Sequence, residues 1–385
     1  MKRVAIVGVG HSKFGERRDV NLPELGFEAA KPAFEDANLW PNDIDFLSVG
    51  TAGGWYEEVL PAVVVSEYLG LSGKGLVRCE AACASGSAAV ATACNMIVSG
   101  QSDVAMAIGI EKMTEIDVMT AVELIGRAGY YTWEFHNFGM TFPGYYALYA
   151  TQHMKKFGTT EQHLAQVAVK NHKYGAMNSD AHLQRAISVD DVLSSRVVAW
   201  PLKLYDCCPM SDGAAAVILA SEDKAKSLTD SPVWIEGIGI SSDTANVSKR
   251  PDFVGLRATV AASEKAFKKA NVSVDQIDVA DVHDCFTIAE ILAYEDLGFC
   301  KKGEGPRMIE EGQTDIGGKI PINVDGGLIA KGHPIGATGT SMIVGLTRQL
   351  RKQGGKSQAP IKNGLALAHN VGGTGHYCYV TILRS

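Results

Sequence analysis

Short apolar runs alternate with amphipathic stretches along most of the chain, and this pattern predicts alternating strands and helices. Uninterrupted apolar runs at 4–8 and 104–108 predict buried strands, and further strands are predicted at 214–219 and 233–237. Such runs are typical of strands that are covered on both faces, which favours an α/β fold with mostly parallel sheets. We expect the third strand to close the first half of the chain and the fourth to open the second half.

The sequence contains an approximate internal repeat. Ala-Phe-Glu-Asp-Ala-Asn at 33–38 recurs as Ala-Phe-Lys-Lys-Ala-Asn at 266–271, and an Ile-Asp pair follows each copy at the same offset. Further along, Cys-Ala-Ser-Gly at 83–86 is echoed by Gly-Ala-Thr-Gly at 336–339, and each tetrapeptide opens an apolar helix. Three matches in the same order predict a duplicated core.

One long segment fits neither copy of the repeat. We therefore expect a first half made of 1–113 together with 200–228, an inserted loop domain at 114–199, and a second half at 229–385. Residues 130–149 within the insertion include nine aromatic residues. These aromatic residues could line an apolar pocket, form an oligomer contact, or make up a small core of the insertion itself.

Composition excludes several classes of function. The chain has 385 residues, 46% hydrophobic content and a net charge of -7, which is ordinary for a globular protein and argues against nucleic acid as a partner. No segment is long and apolar enough to predict a membrane span. Eight cysteines without the density of a disulfide scaffold indicate a reducing cytoplasm. The absence of a Cys-x-x-Cys pair argues against a metal site.

Cys83 is the first candidate for chemistry, because it lies in a small-residue turn that runs into a helical stretch ending near Ser99. A thiol at a helix start faces unpaired backbone N–H groups and the positive end of the helix dipole, and both favour the thiolate. The alternative is a buried cysteine that only packs as a small hydrophobic residue.

Two histidine motifs further along the chain favour the catalytic interpretation. Residues 327–339 form a glycine-rich turn that places His333 before a helix, where it could take a proton from a thiol or simply cap the helix. His283 and Cys285 follow the duplicated strand two positions apart, so in an extended chain both would point into one cleft. The glycine-rich end of the chain, beginning at Gly372, could offer backbone N–H groups to an oxyanion.

The Cys-Ala-Ser-Gly, His-Asp-Cys-Phe, Gly-His-Pro and His-Asn-Val-Gly segments together closely resemble those of the thiolases, over nearly the whole chain. The resemblance implies a duplicated thiolase fold, with two similar α/β halves packed as layered α-β-α-β-α and an inserted loop domain. The branch that this chain resembles is the sterol-carrier-protein-type and archaeal acetyl-CoA acetyltransferase branch. In the biosynthetic bacterial branch, Asn stands at the position of His283 and a second catalytic cysteine at that of Asn370.

The resemblance also implies a role for each candidate side chain. Cys83 would be the nucleophile and His333 its base. Cys285, rather than Cys378 in the outgoing strand, would take the acid/base role that the bacterial branch gives to a cysteine elsewhere. His283 would polarise the carbonyl of the second thioester together with His333.

Backbone N–H groups of Cys83 and Gly372 would then hold the tetrahedral oxyanion, and His369 and Asn370 would orient the pocket. By resemblance, the chain makes or cleaves a 3-oxoacyl-CoA through a Cys83 acyl-enzyme. The substrate would be acetoacetyl-CoA or a bulkier, aromatic 3-oxoacyl-CoA. Coenzyme A is expected as substrate and product, with no permanently bound cofactor and no metal, and the residues that contact CoA are not assigned.

Three other activities stay open at this point. A condensing synthase of the same superfamily would use a Cys-His-Asn set that includes Asn370. A catalytically silent homologue would bind acyl-CoA or lipid without turnover. A retro-aldolase of this fold would have no need for Cys83.

The resemblance further implies assembly. Family members form homodimers or homotetramers, and some members of this branch pair with a small zinc-ribbon and OB-fold protein. We expect self-association and consider such a partner, and we expect neither nucleic acid nor membrane as a partner of this cytoplasmic enzyme.

Overall fold

The computed structural model describes residues 3–385, so the first two residues of the predicted first half lie outside the described part. The strands are β1 (Val4–His11), β2 (Phe46–Gly50), β3 (Gly75–Cys79), β4 (Val104–Lys112), β5 (Val197–Ala199), β6 (Leu202–Lys203), β7 (Asp212–Ser221), β8 (Val233–Ser242), β9 (Val279–Val282), β10 (Leu365–Gly372) and β11 (Tyr377–Arg384). The helices are α1 (Leu22–Ala37), α2 (Pro61–Tyr68), α3 (Ser85–Val98), α4 (Val118–Gly126), α5 (Phe142–Phe157), α6 (Glu161–Gly175), α7 (Val189–Ser194), α8 (Glu222–Leu228), α9 (Arg257–Ala270), α10 (Thr287–Asp296), α11 (Gly305–Glu310) and α12 (Thr338–Leu350).

The order of strands in the main sheet repeats the duplication seen in the sequence. The nine strands run β3-β2-β4-β7-β1-β8-β11-β10-β9, and β1 meets β8 at the junction of the two halves. Reading outward from this junction gives β1, β7, β4 and β2 on one side and β8, β11, β10 and β9 on the other. The predicted duplication is confirmed, since these four strands have the same order in the two halves, and β3 is an additional strand at the edge of the first half.

The expectation of mostly parallel sheets is wrong. β2 pairs in parallel with β3 and β4, and β9 pairs in parallel with β10. The return strands β7 and β11, however, run antiparallel to both of their neighbours, as does β1. An apolar run reports burial on both faces but carries no information on strand direction, so the pattern could not separate a parallel sheet from a mixed one.

Helices cover the two halves of the sheet in three layers. α1 and α2 pack on the first half through an apolar stripe that includes Leu25 and Val65, and α9 packs on β8 and β11 in the same way. α3 and α12 pack against each other between the halves, which completes the α-β-α-β-α order. The close approach of the two helix starts is seen at Gly86, where an added Cβ would lie only 2.7 Å from Gly336 O.

The aromatic segment of the insertion packs into the main apolar cluster, which includes residues of both halves, whereas α6 and the segment around α7 form a small apolar cluster of their own. Tyr146 and Tyr149 of α5 are buried in the same apolar cluster as Phe286 of the second half, whereas Trp133 and Phe138 are exposed. The limits of the three predicted domains stay a prediction. Among residues 3–385, no helix combines the length and the apolar character needed to cross a bilayer.

Candidate active site

Cys83 lies in a single 3-10 turn, Ala82–Ala84, that leads directly into α3. The predicted turn before a helix is thereby confirmed. Ala82 has a φ of 50°, a left-handed conformation that is rare for a residue with a side chain, so the backbone is strained next to the thiol. Ser85 supports the turn by donating to Ala82 O at 2.6 Å and accepting from Ala81 N at 2.9 Å.

His333 lies in the loop between a one-turn π-helix, Gly327–Lys331, and α12. Its Nδ1 is 2.7 Å from Thr338 Oγ1, and that hydroxyl donates to Pro334 O at 3.0 Å. Because the single hydroxyl proton points to the carbonyl, the oxygen accepts from Nδ1–H, and Nε2 of the neutral ring keeps a lone pair. Thr338 therefore selects the tautomer that a base for a thiol requires.

Asn370, near the end of β10, joins three parts of the site. Its Nδ2 donates to Cys83 O at 3.1 Å and to His283 Nδ1 at 3.2 Å, while its Oδ1 accepts from Ser87 Oγ at 2.8 Å. Since Nδ1 of His283 accepts a hydrogen bond, its ring proton is on Nε2, a buried atom that has no hydrogen-bond partner. His283 thus presents an N–H donor whose acceptor is missing.

The three side chains come together in space. The sulfur of Cys83 and one ring nitrogen each of His283 and His333 all lie within 4.8 Å of one another, and all three residues are buried. The two imidazole rings are edge to face, with centroids 5.0 Å apart. The structure therefore joins the start of α3, the turn after β9 and the loop before α12 in one site.

Burial acts against the thiolate form of Cys83 that the helix start favours. Burial raises the pKa of the Cys83 thiol to about 12, although the backbone N–H of Gly373 faces the sulfur and acts in the opposite direction. Burial also lowers the pKa of His333 to about 3 and that of His283 well below its ordinary value. At neutral pH the site holds a thiol and two neutral imidazoles, so a thiolate has to be generated during the reaction.

Cys285 lies in the turn between β9 and α10, beyond the end of the strand, so the extended-strand argument that paired it with His283 does not apply. Its thiol is nevertheless buried at the site. Burial, and after it the charge of a Cys83 thiolate, raise the pKa of Cys285 well above its ordinary value. The nearby hydroxyl of Tyr146, in α5, opposes this shift of the Cys285 pKa. It donates to Gly373 O at 3.4 Å, and the tyrosine ring stacks on Phe286 at 4.6 Å.

Cys208 is a further thiol next to Cys285, and the sequence motifs did not indicate it. Its backbone N–H donates to Cys285 O at 3.1 Å, and burial followed by the nearby Cys285 raises its pKa well above the ordinary value. Cys378, in contrast, lies in β11 with its sulfur 3.6 Å from Thr259 Oγ1 of α9. Cys208 is therefore the second candidate for an acid/base thiol, ahead of Cys378.

Asp284 anchors the loop that carries His333. Its carboxylate accepts from the backbone N–H groups of 328–329 at 2.7 and 3.3 Å and from Asn171 Nδ2 at 2.7 Å. A Cβ at Gly327, which has a φ of 54°, would lie 2.3 Å from this carboxylate, so only glycine fits there. Burial raises the pKa of Asp284 to about 8.

Gly372 is the last residue of β10, and a Cβ there would lie 2.2 Å from Ala81 O. Glycine is therefore required where the turn before Cys83 meets β10. The neighbouring Gly373, at a φ of 63°, supplies the N–H that faces the Cys83 sulfur. The part of Gly372 as an oxyanion donor stays a prediction, with Gly373 as an additional backbone donor at the site.

Cys83, His283 and His333 also form a ligand set of the kind that zinc accepts. To act as a ligand through its unpartnered nitrogen, His283 would have to give up the Nε2 proton that Asn370 directs to that position. The hydrogen bonding thus favours a proton donor over a metal ligand.

Several supporting residues were missed by motif reasoning. Thr338 and Ser87 sit in the two echoed helix starts, so the repeat itself could have indicated them. Tyr146 was counted only as one of the aromatic residues of the insertion. Asn171, by contrast, lies in a helix of the insertion, and no sequence motif around it indicates that its side chain contacts Asp284 of the second half.

Comparison with family models identifies the chain. The model described as "Thiolase, N-terminal domain" matches residues 4–223, and the one described as "Thiolase C-terminal domain-like" matches 239–385. The chain belongs to the thiolases.

Related proteins narrow the activity of this thiolase. An acetyl-CoA acetyltransferase of Methanothermobacter thermautotrophicus is 42% identical over 377 residues, which cover 97% of each chain. A benzoylsuccinyl-CoA thiolase subunit of Thauera aromatica is 33% identical over 97% of this chain and 95% of that subunit. Human sterol carrier protein 2 is 33% identical over 97% of this chain and 70% of that protein. This thiolase is an acyltransferase, as predicted.

Solved structures share the fold. The aldolase named for Ltp2 and the DUF35 protein ChsH2 has a TM-score of 0.87 at 25% identity and covers 100% of this chain and 98% of its own. Human mitochondrial 3-ketoacyl-CoA thiolase in complex with CoA has a TM-score of 0.77 at 19% identity, with 100% and 98% covered. The predicted thiolase fold is confirmed.

Proposed function

We propose that this thiolase makes or cleaves 3-oxoacyl-CoA through an acyl-enzyme on Cys83. The observation that carries this proposal is the approach of one sulfur and two imidazole nitrogens to within 4.8 Å of one another. A thiol acylated at this point is a thioester, which is close in energy to the CoA thioester that supplied the acyl group.

In the first half-reaction, Nε2 of His333 takes the proton of Cys83 while the sulfur attacks the thioester carbonyl. The oxyanion is held by the backbone N–H groups of Cys83 and Gly372, and the loss of one such donor typically costs about 2.7–4 kcal/mol. Collapse of this intermediate expels the CoA thiolate, which receives the proton from His333. The raised pKa of Cys83 explains why the base is needed at all.

In the second half-reaction of synthesis, Cys285 first gives its thiol proton to His333, and the resulting thiolate takes a proton from the α-carbon of a second acyl-CoA. The enolate attacks the acyl-enzyme, and Cys83 leaves as a thiolate that regains a proton from His333. His283 Nε2–H and His333 stabilise the enolate oxygen. In cleavage, Cys285 returns its proton to the leaving enolate. The raised pKa of Cys285 keeps it protonated at neutral pH, which is the form that the cleavage direction requires.

The substrate follows from the relatives and the insertion. Acetoacetyl-CoA is the first choice, because the acetyl-CoA acetyltransferase relative is 42% identical. A bulkier, aromatic 3-oxoacyl-CoA is the second, because a benzoylsuccinyl-CoA thiolase subunit is also similar and Tyr146 brings the insertion to the site. Coenzyme A serves as substrate and product, without a permanently bound cofactor.

Assembly is proposed on the same basis. We expect a homodimer or homotetramer, and the aldolase neighbour, whose name includes a DUF35 protein, is compatible with a small partner protein. Size-exclusion chromatography with light scattering, with and without a co-expressed candidate partner, measures both.

Mass spectrometry after incubation with acetyl-CoA tests the mechanism. We expect a mass increase of one acetyl group on the peptide that contains Cys83, and its loss when CoA is added. A Cys300→Ser variant, changed at a thiol outside the site motifs, should acylate like the wild type. Acylation of another residue, or turnover without any acyl-enzyme, would contradict the proposal.

A retro-aldolase is the second candidate, because the aldolase neighbour has a TM-score of 0.87. Such a reaction would release a carbonyl compound from a 3-hydroxyacyl-CoA without consuming CoA, and it would survive Cys83→Ser. The thiolase reaction requires CoA and is lost in that variant, so one variant separates the two.

A further inference from the structure

Two buried N–H donors without acceptors lie in the part of the structure around Cys83. One is His283 Nε2, which the proposed mechanism assigns to the thioester oxygen. The other is Trp55 Nε1, which is equally buried and has no hydrogen-bond partner within residues 3–385. The mechanism gives Trp55 no task, and buried polar groups in folded proteins almost always have a partner.

No acceptor within residues 3–385 lies within hydrogen-bond distance of Trp55 Nε1. Trp55 belongs to a small buried cluster with Cys83, Met113, Ala121 and Ile335, and the partly buried side chains packed on this cluster are also mostly apolar. Its exposed fraction is only 3%. The cluster includes the nucleophile, a residue two positions from His333 and a residue of α4 in the insertion, so Trp55 belongs to the apolar packing around Cys83.

The segment that carries Trp55 is held in place. The buried carboxylate of Glu111 accepts from Thr51 Oγ1 at 2.9 Å and from the backbone N–H groups of Ala52 and Gly53 at 2.8 and 3.1 Å. Tyr56 hydrogen-bonds to the same threonine hydroxyl. With anchors on both sides in sequence, the indole has little freedom to turn toward solvent.

We propose that Trp55 Nε1 donates a hydrogen bond to an oxygen of the acyl group bound to Cys83. Among acyl groups that are longer than acetyl, the site would then prefer those that carry a second oxygen beyond the thioester carbonyl over plain alkanoyl groups. This inference rests on the proposed acyl-enzyme.

The chemistry of the cluster favours a neutral oxygen, such as a ketone or an ether, over a carboxylate. Indole is a neutral donor, and the ionisable groups near Cys83 include Glu111 and Glu80, whose charges already oppose the formation of an anion. A second anion buried among them would lack a counter-charge, and this is far more costly than burying a carbonyl that has a hydrogen-bond donor.

Matched thioesters test the inference. The rate of Cys83 acylation is measured by mass spectrometry with acetyl-CoA, hexanoyl-CoA, 4-oxohexanoyl-CoA and 5-oxohexanoyl-CoA. We expect the wild type to prefer at least one oxo compound over hexanoyl-CoA by roughly tenfold or more. Trp55→Phe, which keeps the ring and removes the N–H, should reduce this preference to about twofold or less. The control Trp40→Phe changes an indole that is 75% exposed and should keep the preference.

Indole ¹⁵N–¹H spectra provide a readout in the wild type if Trp55→Phe does not fold. The Trp55 signal is assigned by elimination from single variants of the other four tryptophans. It should move on acylation with the preferred oxo compound and much less with hexanoyl-CoA.

Equal acylation rates for oxo and plain thioesters in the wild type would overturn the inference and leave the acyl-enzyme intact, and so would a preference that survives Trp55→Phe. If the partner of Trp55 is a water molecule, the wild type should show equal rates. If no thioester, acetyl-CoA included, acylates Cys83, the proposed function itself fails.

Discussion

The two halves of this thiolase have the same order of strands but carry different chemistry at equivalent positions. The turn before α3 carries Cys83, whereas the echoed turn before α12 carries Gly336. At the ends of β2 and β4, Gly50 pairs with Gly109. The corresponding strand ends of the second half bring His283 and Asn370 together at 3.2 Å.

The glycines at the strand ends of the first half make room for the two helix starts that pack against them. A Cβ at Gly109 would lie 2.5 Å from Gly336 O, and one at Gly50 would lie 2.4 Å from Ser85 O. Close packing of the two helix starts against these strand ends is what brings the sulfur of Cys83 to the imidazoles. A duplicated core can therefore build one asymmetric site when some equivalent positions, such as Cys83 and Gly336, have a functional side chain in one half and a glycine in the other.

The largest expected effect follows from removing the sulfur of the first half. Cys83→Ser should lower the rate of acyl transfer by about 10⁴-fold or more, because a buried alcohol is a poor nucleophile and its ester a poor acyl donor. Steady-state thiolysis of acetoacetyl-CoA measures this. Cys94→Ser in α3, a buried thiol of the same half, is the matched control and should stay within a few-fold of the wild type.

Removal of the base contributed by the second half comes next. His333→Gln should lower kcat by roughly 10²–10⁴-fold, since the Cys83 thiol has no other group positioned to take its proton. KM for the acyl-CoA should change much less. His136→Gln, at an exposed histidine of the insertion, serves as control, and an unchanged kcat in the His333 variant would remove that residue from the mechanism.

Cys285→Ala should separate the two half-reactions. Exchange of labelled CoA with acetyl-CoA needs only Cys83 and His333 and should persist, whereas cleavage of acetoacetyl-CoA should fall by roughly 10²-fold because the enolate loses its proton donor. Cys208→Ala and Cys378→Ala are measured alongside. If Cys208→Ala shows this pattern and Cys285→Ala does not, the acid/base thiol is Cys208.

The pH dependence of alkylation reports the resting state of the nucleophile. A thiol whose pKa is raised to about 12 exists mainly in its protonated form, so its reaction with iodoacetamide should accelerate about tenfold per pH unit from about pH 6 to 9. Peptide mapping confines the measurement to Cys83. A plateau across this range would mean a preformed thiolate paired with a protonated imidazole, contrary to the burial of both groups.

The smallest expected effect concerns the glycine of the echoed turn. Gly336→Ala should lower the free energy of unfolding by roughly 1–3 kcal/mol, because its Cβ would lie 2.3 Å from Ile110 O. Gly26→Ala in α1, where the added Cβ meets side chains only at 3.4 Å or more, should be neutral or stabilising by up to about 1 kcal/mol. Urea unfolding compares the two, and equal effects would show that close approach at Gly336 is not required.

The sequence by itself determined the duplication, the buried strands and the identity of the groups that can react. These follow from local patterns, because strand burial, helix starts and glycine-rich turns are encoded over a few neighbouring residues. It also indicated Cys83, His283, Cys285 and His333 as a set, although the argument from strand alternation for two of them does not hold.

Only the tertiary structure decided how those groups behave. Burial by distant segments raises the pKa of Cys83 and lowers that of His333, and this outweighs the helix start that favoured a thiolate. The tautomers set by Thr338 and Asn370 and the unpartnered N–H of Trp55 depend on contacts between residues far apart in the chain. Ionisation and hydrogen bonding depend on what surrounds a group in space, and that information appears only when the chain has folded.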